Sequence, residues 1–415
     1  MNILLVSTAE RSGGGAIAAR RLLTALNGIG INAKMLVRDK QTDLHHVIQI
    51  KKGPLGMWKF VWERIVIWAN NLFSKRNLFK VSIANTGYDI TKFKEFQEAD
   101  IIHLHWVNQG MISLKNIQQI LDSGKPVVWT MHDMWECTAI CHHAYTCDRF
   151  KTECMHCPFL RFPGEHDLAN RVFQKKKKLL ANNTIHVITV SHWLERLAKE
   201  SALLKHCPID TIPNTLSLSD FQMMDKAECR KQLGLPLDKR IIIFGAARVD
   251  DPIKGFPMIL DAISYLKAHN QEFAKDLHLV TFGIFKQAKP HIPIDHTDIG
   301  WVKDNATLSM LYSASDALIS ASLYETFGQT LIEAQACGCL PISFGNSGQT
   351  DIIRHKENGY LAEYLSPASL SEGIIWTLTE GTAINRETIR TEVLNKYSAE
   401  VVASRYMELY TRITK

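Results

Sequence analysis

Short apolar runs alternate with helical segments along both halves of this chain. The runs are Asn2 to Ser7, Ala99 to Trp106, Pro126 to Asp133, His186 to Val190, Arg240 to Arg248 and Asp316 to Ser320. Such alternation is typical of α/β proteins, in which helices cover both faces of a parallel sheet. Because 415 residues are too many for one ordinary core, the length predicts two domains of this class.

Two glutamates eight positions apart follow the last of these runs. Residues 325–328 form a predicted turn, and Gln329 to Cys337 form a predicted helix. Glu325 therefore lies in the loop after a strand, and Glu333 lies in the helix. Ligands of open α/β sheets bind beyond the carboxyl ends of the strands, where both carboxylates can accept hydrogen bonds from sugar hydroxyls. The alternative for Glu333 is a helix position that faces solvent.

Two cations follow the run that ends at Arg248. Arg248 and Lys254 both lie beyond the carboxyl end of that predicted strand. Arginine offers a planar fork to phosphate oxygens and lysine offers a compact charge, so the pair can neutralise a diphosphate. The alternative is a solvated surface loop.

Three consecutive glycines, Gly13 to Gly15, precede a predicted helix from about Ala16 to Leu26. Glycines at a helix start let a ligand approach the backbone and leave amides that can bind an anion. The spacing matches neither the dinucleotide-binding fingerprint nor a P-loop, so the glycines alone do not define the ligand.

Histidines end two further runs. His105 is near the end of the second run, and His132, followed by Asp133, ends the third. These positions place the side chains at the carboxyl ends of parallel strands, where they are candidates for ligand contact. His103 alternates with apolar residues and is predicted to be an interior histidine.

Together these segments resemble the retaining glycosyltransferases of family four. Residues 322–338 resemble the paired-glutamate motif of that family, and residues 298–317 resemble the segment that leads into it. The resemblance implies the GT-B fold, with two facing Rossmann-like domains whose closure excludes water. The implied parts are an acceptor-side domain (1–213), a nucleotide-sugar-binding domain (214–395) and a C-terminal helix (396–415) that crosses back to the first domain.

The resemblance also implies roles for individual residues. Glu325 would contact the transferred sugar, Glu333 the ribose, and Arg248 with Lys254 the departing diphosphate. The remaining implied donor-binding residues are Gly14, Gly15, Phe327, Gly328, Gln329 and Thr330. His132 would lie beside the transferred sugar as a catalytic residue, and His105 and Asp133 are assigned to the acceptor side.

The implied function is transfer of a sugar from a nucleotide-sugar donor to a saccharide acceptor, expected to be lipid-linked, with retention of configuration and no cofactor for catalysis. Residues 132–135 and the pair Cys157-Pro158 resemble transferases that build bacterial capsule, exopolysaccharide or colanic-acid-type chains, although residues 136–140 depart from that pattern. The alternatives are a GT-B phosphorylase, and a non-catalytic module that binds a nucleotide sugar or a partner.

Five of the nine cysteines cluster in a loop at 137–158. The Cys-x-x-Cys spacing favours metal thiolate chemistry over a disulfide in a chain that is expected to be cytoplasmic. The predicted ligands of one structural, tetrahedral zinc are Cys141, Cys147, Cys154 and Cys157, and a histidine of the same loop (His142, His143 or His156) is the substitute for one of them. The alternative is a set of unligated thiols that pack the loop.

The net charge of +6 is unevenly distributed along the chain. Lys51 to Lys80 contains seven basic residues and one acidic residue, interleaved with aromatic side chains. Six residues fall on one helical stripe, namely Trp58, Val61, Trp62, Ile65, Ala69 and Leu72. Such a helix can lie on the anionic inner face of a membrane, or its stripe can pack on the core. No nucleic-acid motif, signal peptide or membrane-spanning run accompanies the charge, so a cytoplasmic, peripheral protein is expected.

Overall fold

The computed structural model describes residues 1–50, 56–181 and 183–414. The chain divides into two compact units, Met1–Thr215 with Val402–Lys415, and Leu216–Val401. The first division falls two residues after the predicted boundary at 213, and the chain returns to the first unit at Val402 rather than at 396. Within the described residues, no helix combines the length and the apolar character that a membrane crossing needs.

The first unit contains a parallel sheet. Its strands are β1 (Asn2–Ala9), β2 (Asn32–Asp39), β3 (Val47–Gln49), β4 (Ile101–Leu104), β5 (Val127–Met131), β6 (His186–Thr189) and β7 (Ile209–Thr211). They pair in the order β3-β2-β1-β4-β5-β6-β7, and every pair is parallel. The strand order reverses between β1 and β4, and such a switch point is where open α/β sheets bind ligands.

Helices form the connections between these strands except between β2 and β3, as crossovers between parallel strands commonly do. They are α1 (Gly14–Gly28), α2 (Gly56–Asn70), α3 (Lys94–Glu98), α4 (Leu114–Asp122), α5 (Leu168–Ala181) and α6 (His192–Glu200). Helix α1 begins two residues before its predicted start, because Gly13 is the last residue outside it and has a φ of 95° that favours glycine.

The second unit repeats this plan. Its strands are β8 (Arg240–Arg248), β9 (Leu277–Ile284), β10 (Asp295–Gly300), β11 (Ala317–Ser320), β12 (Leu340–Phe344) and β13 (Tyr360–Ala362). They pair in parallel in the order β10-β9-β8-β11-β12-β13, so the switch point lies between β8 and β11. Ile241 to Phe244 in β8 are buried without alternation, which is typical of a strand covered on both faces.

The helices of the second unit are α7 (Lys226–Leu233), α8 (Phe256–His269), α9 (Gln271–Lys275), α10 (Asn305–Ala314), α11 (Gln329–Ala336), α12 (Pro367–Leu378) and α13 (Arg386–Tyr397). The core between sheet and helices includes Ile242, Phe244, Ile259, Ile319 and Ile342. Helix α11 carries Glu333 and follows β11, as the sequence predicts.

The last helix, α14 (Ala399–Ile413), contributes its C-terminal part to the first unit. The hydroxyl of Tyr410 lies 2.7 Å from His103 Nδ1, and the Thr130 hydroxyl lies 2.7 Å from His103 Nε2. His103 is fully buried with both ring nitrogens paired, which confirms the predicted interior histidine. The Tyr410 contact attaches α14 to β4, and the Tyr406 hydroxyl, 3.1 Å from the Thr130 hydroxyl, attaches α14 to β5.

Candidate functional site

In the second unit, the loop that carries Lys254 lies beside the loop that carries Glu325. Lys254 follows β8 and Glu325 follows β11, and these strands are neighbours at the switch point. The Lys254 ammonium donates to Glu325 Oε2 over 3.0 Å. Seventy-one positions separate these residues, so the parallel pairing of the strands creates the contact rather than local sequence.

The backbone fixes this contact from the Lys254 side. Gly255 has a φ of 69°, and a Cβ there would lie 1.9 Å from the carbonyl oxygen of Ala321. The Leu323 amide donates to the Ile253 carbonyl over 2.8 Å. Only glycine permits this approach of the two loops without strain. The position of the Lys254 ammonium is therefore set by the fold.

A second loop supports the Glu325 side. The Glu325 amide donates to the Ser347 hydroxyl over 3.0 Å, and the Gly348 amide donates to the Glu325 carbonyl over 2.7 Å. A Cβ on Gly348 would lie 2.4 Å from the Thr326 carbonyl oxygen. Sequence reasoning did not identify Ser347 or Gly348, because their partners lie more than twenty positions away and no local pattern indicates them.

Two cations are presented at the carboxyl end of β8. Arg248 is half-exposed, and its Nε donates to Asp250 Oδ1 over 2.9 Å. Lys254 is also half-exposed, and the neighbouring Glu325 carboxylate raises the pKa of Lys254 above its ordinary value. Lys254 therefore keeps its positive charge at neutral pH. Both groups are accessible from solvent, so each of them can contact an anionic ligand.

Glu333 is buried within α11, and the Tyr312 hydroxyl donates to its Oε2 at 3.5 Å. The solvent-facing alternative for this glutamate is therefore wrong. Helix α11 begins after Gly328, whose φ is 112°, and Gln329 and Thr330 are half-buried in its first turn. The Phe327 side chain is buried against the Tyr397 ring, with centroids 5.7 Å apart, so any ligand contact from Phe327 would come from its backbone.

In the first unit, the start of α1 lies against the end of β5. A Cβ on Gly15 would lie 2.9 Å from Cγ of His132, whereas a Cβ on Gly14 would meet open space. Gly15 therefore permits the close approach of the helix to the histidine ring. Gly14 leaves a backbone surface that a ligand can reach.

His105, which is buried, and His132, which is partly buried, form a pair beyond the carboxyl ends of β4 and β5. His105 Nδ1 and His132 Nε2 lie 3.0 Å apart, and the rings stack with centroids separated by 5.3 Å. Burial lowers the pKa of His132 to about 4, and burial also lowers the pKa of His105 well below its ordinary value. Both rings are therefore neutral at pH 7. His105 Nε2 is buried without a hydrogen-bond partner among the described residues.

The Asp133 carboxylate is held by hydrogen bonds from neighbouring residues of the first unit. It accepts hydrogen bonds from Trp106 Nε1 and the Trp135 amide, each over 2.8 Å, and contacts His142 Nδ1 at 2.7 Å. Burial alone would raise the pKa of Asp133, but the contact with His142 outweighs it and lowers the pKa to about 2. The carboxylate is thus ionised and fixes the loop after β5. Sequence reasoning treated His142 only as a substitute metal ligand.

The four cysteines predicted to bind zinc line one small cavity. Cys141, Cys147, Cys154 and Cys157 share its wall, and its volume is about 20 Å³, enough for one atom-sized occupant. Cys137, which the prediction left out, is buried elsewhere. In the part of the chain that is described, no three His, Cys, Asp or Glu side chains already form a metal-binding arrangement. The zinc therefore stays a prediction.

Metal analysis tests this prediction. We expect about one zinc per purified chain, and we expect the double variant Cys154→Ser, Cys157→Ser to lose it, because two of the four ligands are removed. The control is Cys207→Ser, which changes a half-buried thiol outside the cavity. Equal zinc content in the wild type and the double variant would favour the alternative of unligated thiols.

Comparison with known proteins adds two family matches. Residues 12–220 match the family model "Glycosyltransferase Family 4", and residues 225–393 match "Glycosyl transferases group 1". The first match covers half of the chain and lies almost wholly within the first unit. The second covers the segments that carry Arg248, Lys254, Glu325 and Glu333.

Individual proteins agree with these matches. The chain is 26% identical to a D-inositol 3-phosphate glycosyltransferase of Thermobispora bispora, over 75% of this chain and 70% of the relative. It is 22% identical to WcaC of Escherichia coli K12, a glycosyl transferase provisionally assigned to colanic acid biosynthesis, over 75% and 76% of the two chains.

A solved structure shares the fold. Anabaena Alr3699/HepE, solved in complex with UDP and glucose, superposes with a TM-score of 0.65 at 14% identity, over 99% of this chain and all of that one. The likeness confirms the predicted fold class, GT-B, with two Rossmann-like domains built on parallel sheets.

Proposed function

Because the chain belongs to glycosyltransferase family 4, we propose that it transfers a sugar from a nucleotide-sugar donor to a saccharide acceptor, with retention of anomeric configuration and without a metal cofactor. The observation that carries the proposal is the contact of Lys254 with Glu325 at the switch point of the second unit, in the loop that follows Arg248, the last residue of β8. This arrangement offers two cations to a diphosphate and one carboxylate to sugar hydroxyls.

The two cations stabilise charge that develops as the reaction proceeds. When the bond between the anomeric carbon and the donor diphosphate breaks, the diphosphate gains negative charge. Arg248 and Lys254 neutralise this charge, and they supply the stabilisation that a divalent metal would otherwise provide. Asp250 and Glu325 hold the two cations in place before the donor arrives, so little reorganisation is needed at the moment of bond cleavage.

Two glutamates orient the donor in this mechanism. Glu325 accepts hydrogen bonds from hydroxyls of the transferred sugar, and its backbone is held by Ser347 and Gly348. Glu333 accepts hydrogen bonds from the ribose, from a buried position in α11. The first turn of α11 contributes backbone and polar groups of Gly328, Gln329 and Thr330. We assign no residue as a covalent nucleophile.

To the first unit we assign contacts with the transferred sugar and the acceptor. The backbone of Gly14 and Gly15 takes a phosphate oxygen, and neutral His132 exchanges a hydrogen bond with a sugar hydroxyl. His105 orients the His132 ring through the 3.0 Å contact, and its second nitrogen is a candidate acceptor contact. Asp133 is better placed to position the loop than to bind a ligand, because its oxygens already accept hydrogen bonds from neighbouring residues.

We further propose a lipid-linked saccharide acceptor and a role in cell-surface polysaccharide synthesis. Support comes from the similarity to WcaC and from the resemblance of residues 132–135 to transferases of that kind. The remaining alternatives are a phosphorylase and a non-catalytic binding module. The cationic pair of the second unit favours a diphosphate-bearing donor over a single inorganic phosphate.

Donor-dependent stabilisation tests the proposal and its site together. A nucleotide sugar at about one hundred times its dissociation constant should add roughly 2.7 kcal/mol to the stability of the wild type. UDP-glucose is the first of the panel, because a structural neighbour was solved with UDP and glucose. The variant Glu333→Ala should lose most of this increment, because the ribose loses its acceptor. Thermal unfolding with and without each donor measures the effect.

The matched control is Glu372→Ala, which removes an exposed helix glutamate from the same unit and should keep the full increment. A donor that stabilises the wild type and Glu333→Ala equally would remove Glu333 from the site. If no nucleotide sugar or nucleotide stabilises the wild type, the alternatives without a nucleotide-sugar donor gain support.

A further inference from the structure

Helix α2 of the first unit presents its apolar stripe outward. Trp58 is 55% exposed and Trp62 is 46% exposed, and Ala69 on the same stripe is also exposed. Residues four apart share one face of a helix, so these tryptophans form a continuous outer face. The alternative in which the stripe packs on the core is therefore wrong.

Charged residues occupy the opposite face of the helix. Glu63 is fully buried and accepts hydrogen bonds from the Ile83 and Ala84 amides at 2.8 and 2.9 Å. Arg64 is also buried, pairs with Glu63 at 2.9 Å and donates to the Val81 carbonyl. A surface helix usually buries its apolar side chains and exposes its charged ones. Helix α2 does the reverse, because its ion pair faces the interior of the unit and its tryptophans face solvent. These inward contacts fix the rotation of α2, so the tryptophans cannot turn into the core.

Neighbouring segments extend the apolar face. Leu72, Phe73 and Phe162 are each more than half exposed. Phe73 packs on Trp68 of α2 with ring centroids 4.6 Å apart. The Arg161 amide donates to the side chain of Asn71 over 3.2 Å, which brings Phe162 to the end of α2. We call Trp58, Trp62, Leu72, Phe73 and Phe162 the aromatic surface.

The charge beside the aromatic surface has one sign. Lys75, Arg76, Lys80 and Arg161 are exposed within or next to it. Between residues 56 and 80 the sole acidic residue is Glu63, which is buried and paired with Arg64. Lys51 and Lys52 of the predicted basic segment lie outside the described residues. The exposed cations therefore face solvent with no neighbouring acid on α2 or on the segment after it.

We propose that the aromatic surface docks on an anionic lipid bilayer. Tryptophan and phenylalanine side chains enter the boundary between headgroups and acyl chains, while the neighbouring lysines and arginines contact anionic headgroups. The apolar and cationic groups provide the two kinds of attraction that peripheral membrane binding combines. This surface is distinct from the donor site of the second unit, so docking is independent of the proposed function and can be tested without a sugar donor.

Vesicle co-sedimentation tests the docking. The wild-type chain should bind vesicles that contain phosphatidylglycerol more tightly than vesicles of phosphatidylcholine alone, and added salt should weaken the binding. The variant Trp58→Ser, Trp62→Ser should bind roughly tenfold more weakly or worse, because it removes two interfacial anchors. The variant Lys75→Gln, Arg76→Gln should lose roughly fivefold for each cation at low salt.

Two controls keep the result specific. Trp301→Ser removes an equally exposed tryptophan from the second unit and should leave vesicle binding unchanged. Light scattering gives the oligomeric state of each variant, and circular dichroism shows that each is folded. The proposal fails if the wild type binds neither kind of vesicle. It also fails if the wild type is a dimer that the two tryptophan substitutions dissociate, since the surface would then bind a second copy.

Discussion

Replacing Lys254 with alanine should lower kcat/KM for sugar transfer by roughly 100- to 1,000-fold, because one cation that neutralises the departing diphosphate is lost. Part of the loss should appear as weaker donor binding, since the diphosphate of the donor is already anionic, and the larger part should appear in kcat, since the diphosphate gains further negative charge as its bond to the sugar breaks. The conservative variant Lys254→Arg should recover part of the activity, because it restores the charge with a different shape. Steady-state kinetics in buffer free of divalent cations measure these effects.

The fold should survive this substitution. Lys254 and Glu325 are half-exposed, and ion pairs of that kind contribute about 1 kcal/mol or less to stability. The control is Lys275→Ala, which breaks an exposed ion pair with Glu272 and should leave kcat/KM unchanged. Equal activity of the wild type and Lys254→Ala would show that the diphosphate is held elsewhere.

Replacing Glu63 with alanine should destabilise the first unit by roughly 3–5 kcal/mol, because a buried charge then loses its partner. The substitution leaves the Arg64 guanidinium unpaired and also removes the acceptor of the Ile83 and Ala84 amides. Urea unfolding followed by tryptophan fluorescence measures the change, since seven of the nine tryptophans belong to the first unit. Vesicle binding of the aromatic surface should weaken as well, because α2 loses the contacts that set its rotation.

Two further variants show whether the loss of stability comes from the burial of the ion pair. Glu357→Ala breaks an exposed pair with Arg354 and should cost about 1 kcal/mol or less. The double variant Glu63→Ala, Arg64→Met should recover part of the loss, because no unpaired charge remains inside. If Glu63→Ala costs no more than Glu357→Ala, the ion pair does not hold α2 in place.

Much of the donor-site arrangement could be predicted from the sequence. β8 and β11 are continuous apolar runs that a buried parallel strand requires, and polar residues follow each of them. Because ligand-binding loops of such sheets follow the strands, Lys254 and Glu325 could each be placed beyond the carboxyl end of a strand, and the resemblance to family four assigned both to one donor site. Their 3.0 Å contact agrees with that assignment.

The orientation of α2 could not be predicted in this way. The spacing of Trp58 and Trp62 defines a helical stripe but not the direction in which the stripe faces. That direction depends on Glu63, whose partners are the Ile83 and Ala84 amides about twenty positions away. Ser347 was missed for the same reason, since its bond to the Glu325 amide joins two different loops. Contacts of this kind arise from the tertiary fold, and local patterns carry no signal for them.

Calorimetric titration of a nucleotide-sugar panel into the wild type and Lys254→Ala tests the central claim most directly. We predict that at least one nucleotide sugar binds the wild type, and that the same donor binds Lys254→Ala measurably more weakly, because its diphosphate loses a cation. Binding of equal strength to both proteins would contradict the assigned diphosphate site. Absence of binding by every nucleotide sugar would contradict the proposed function itself.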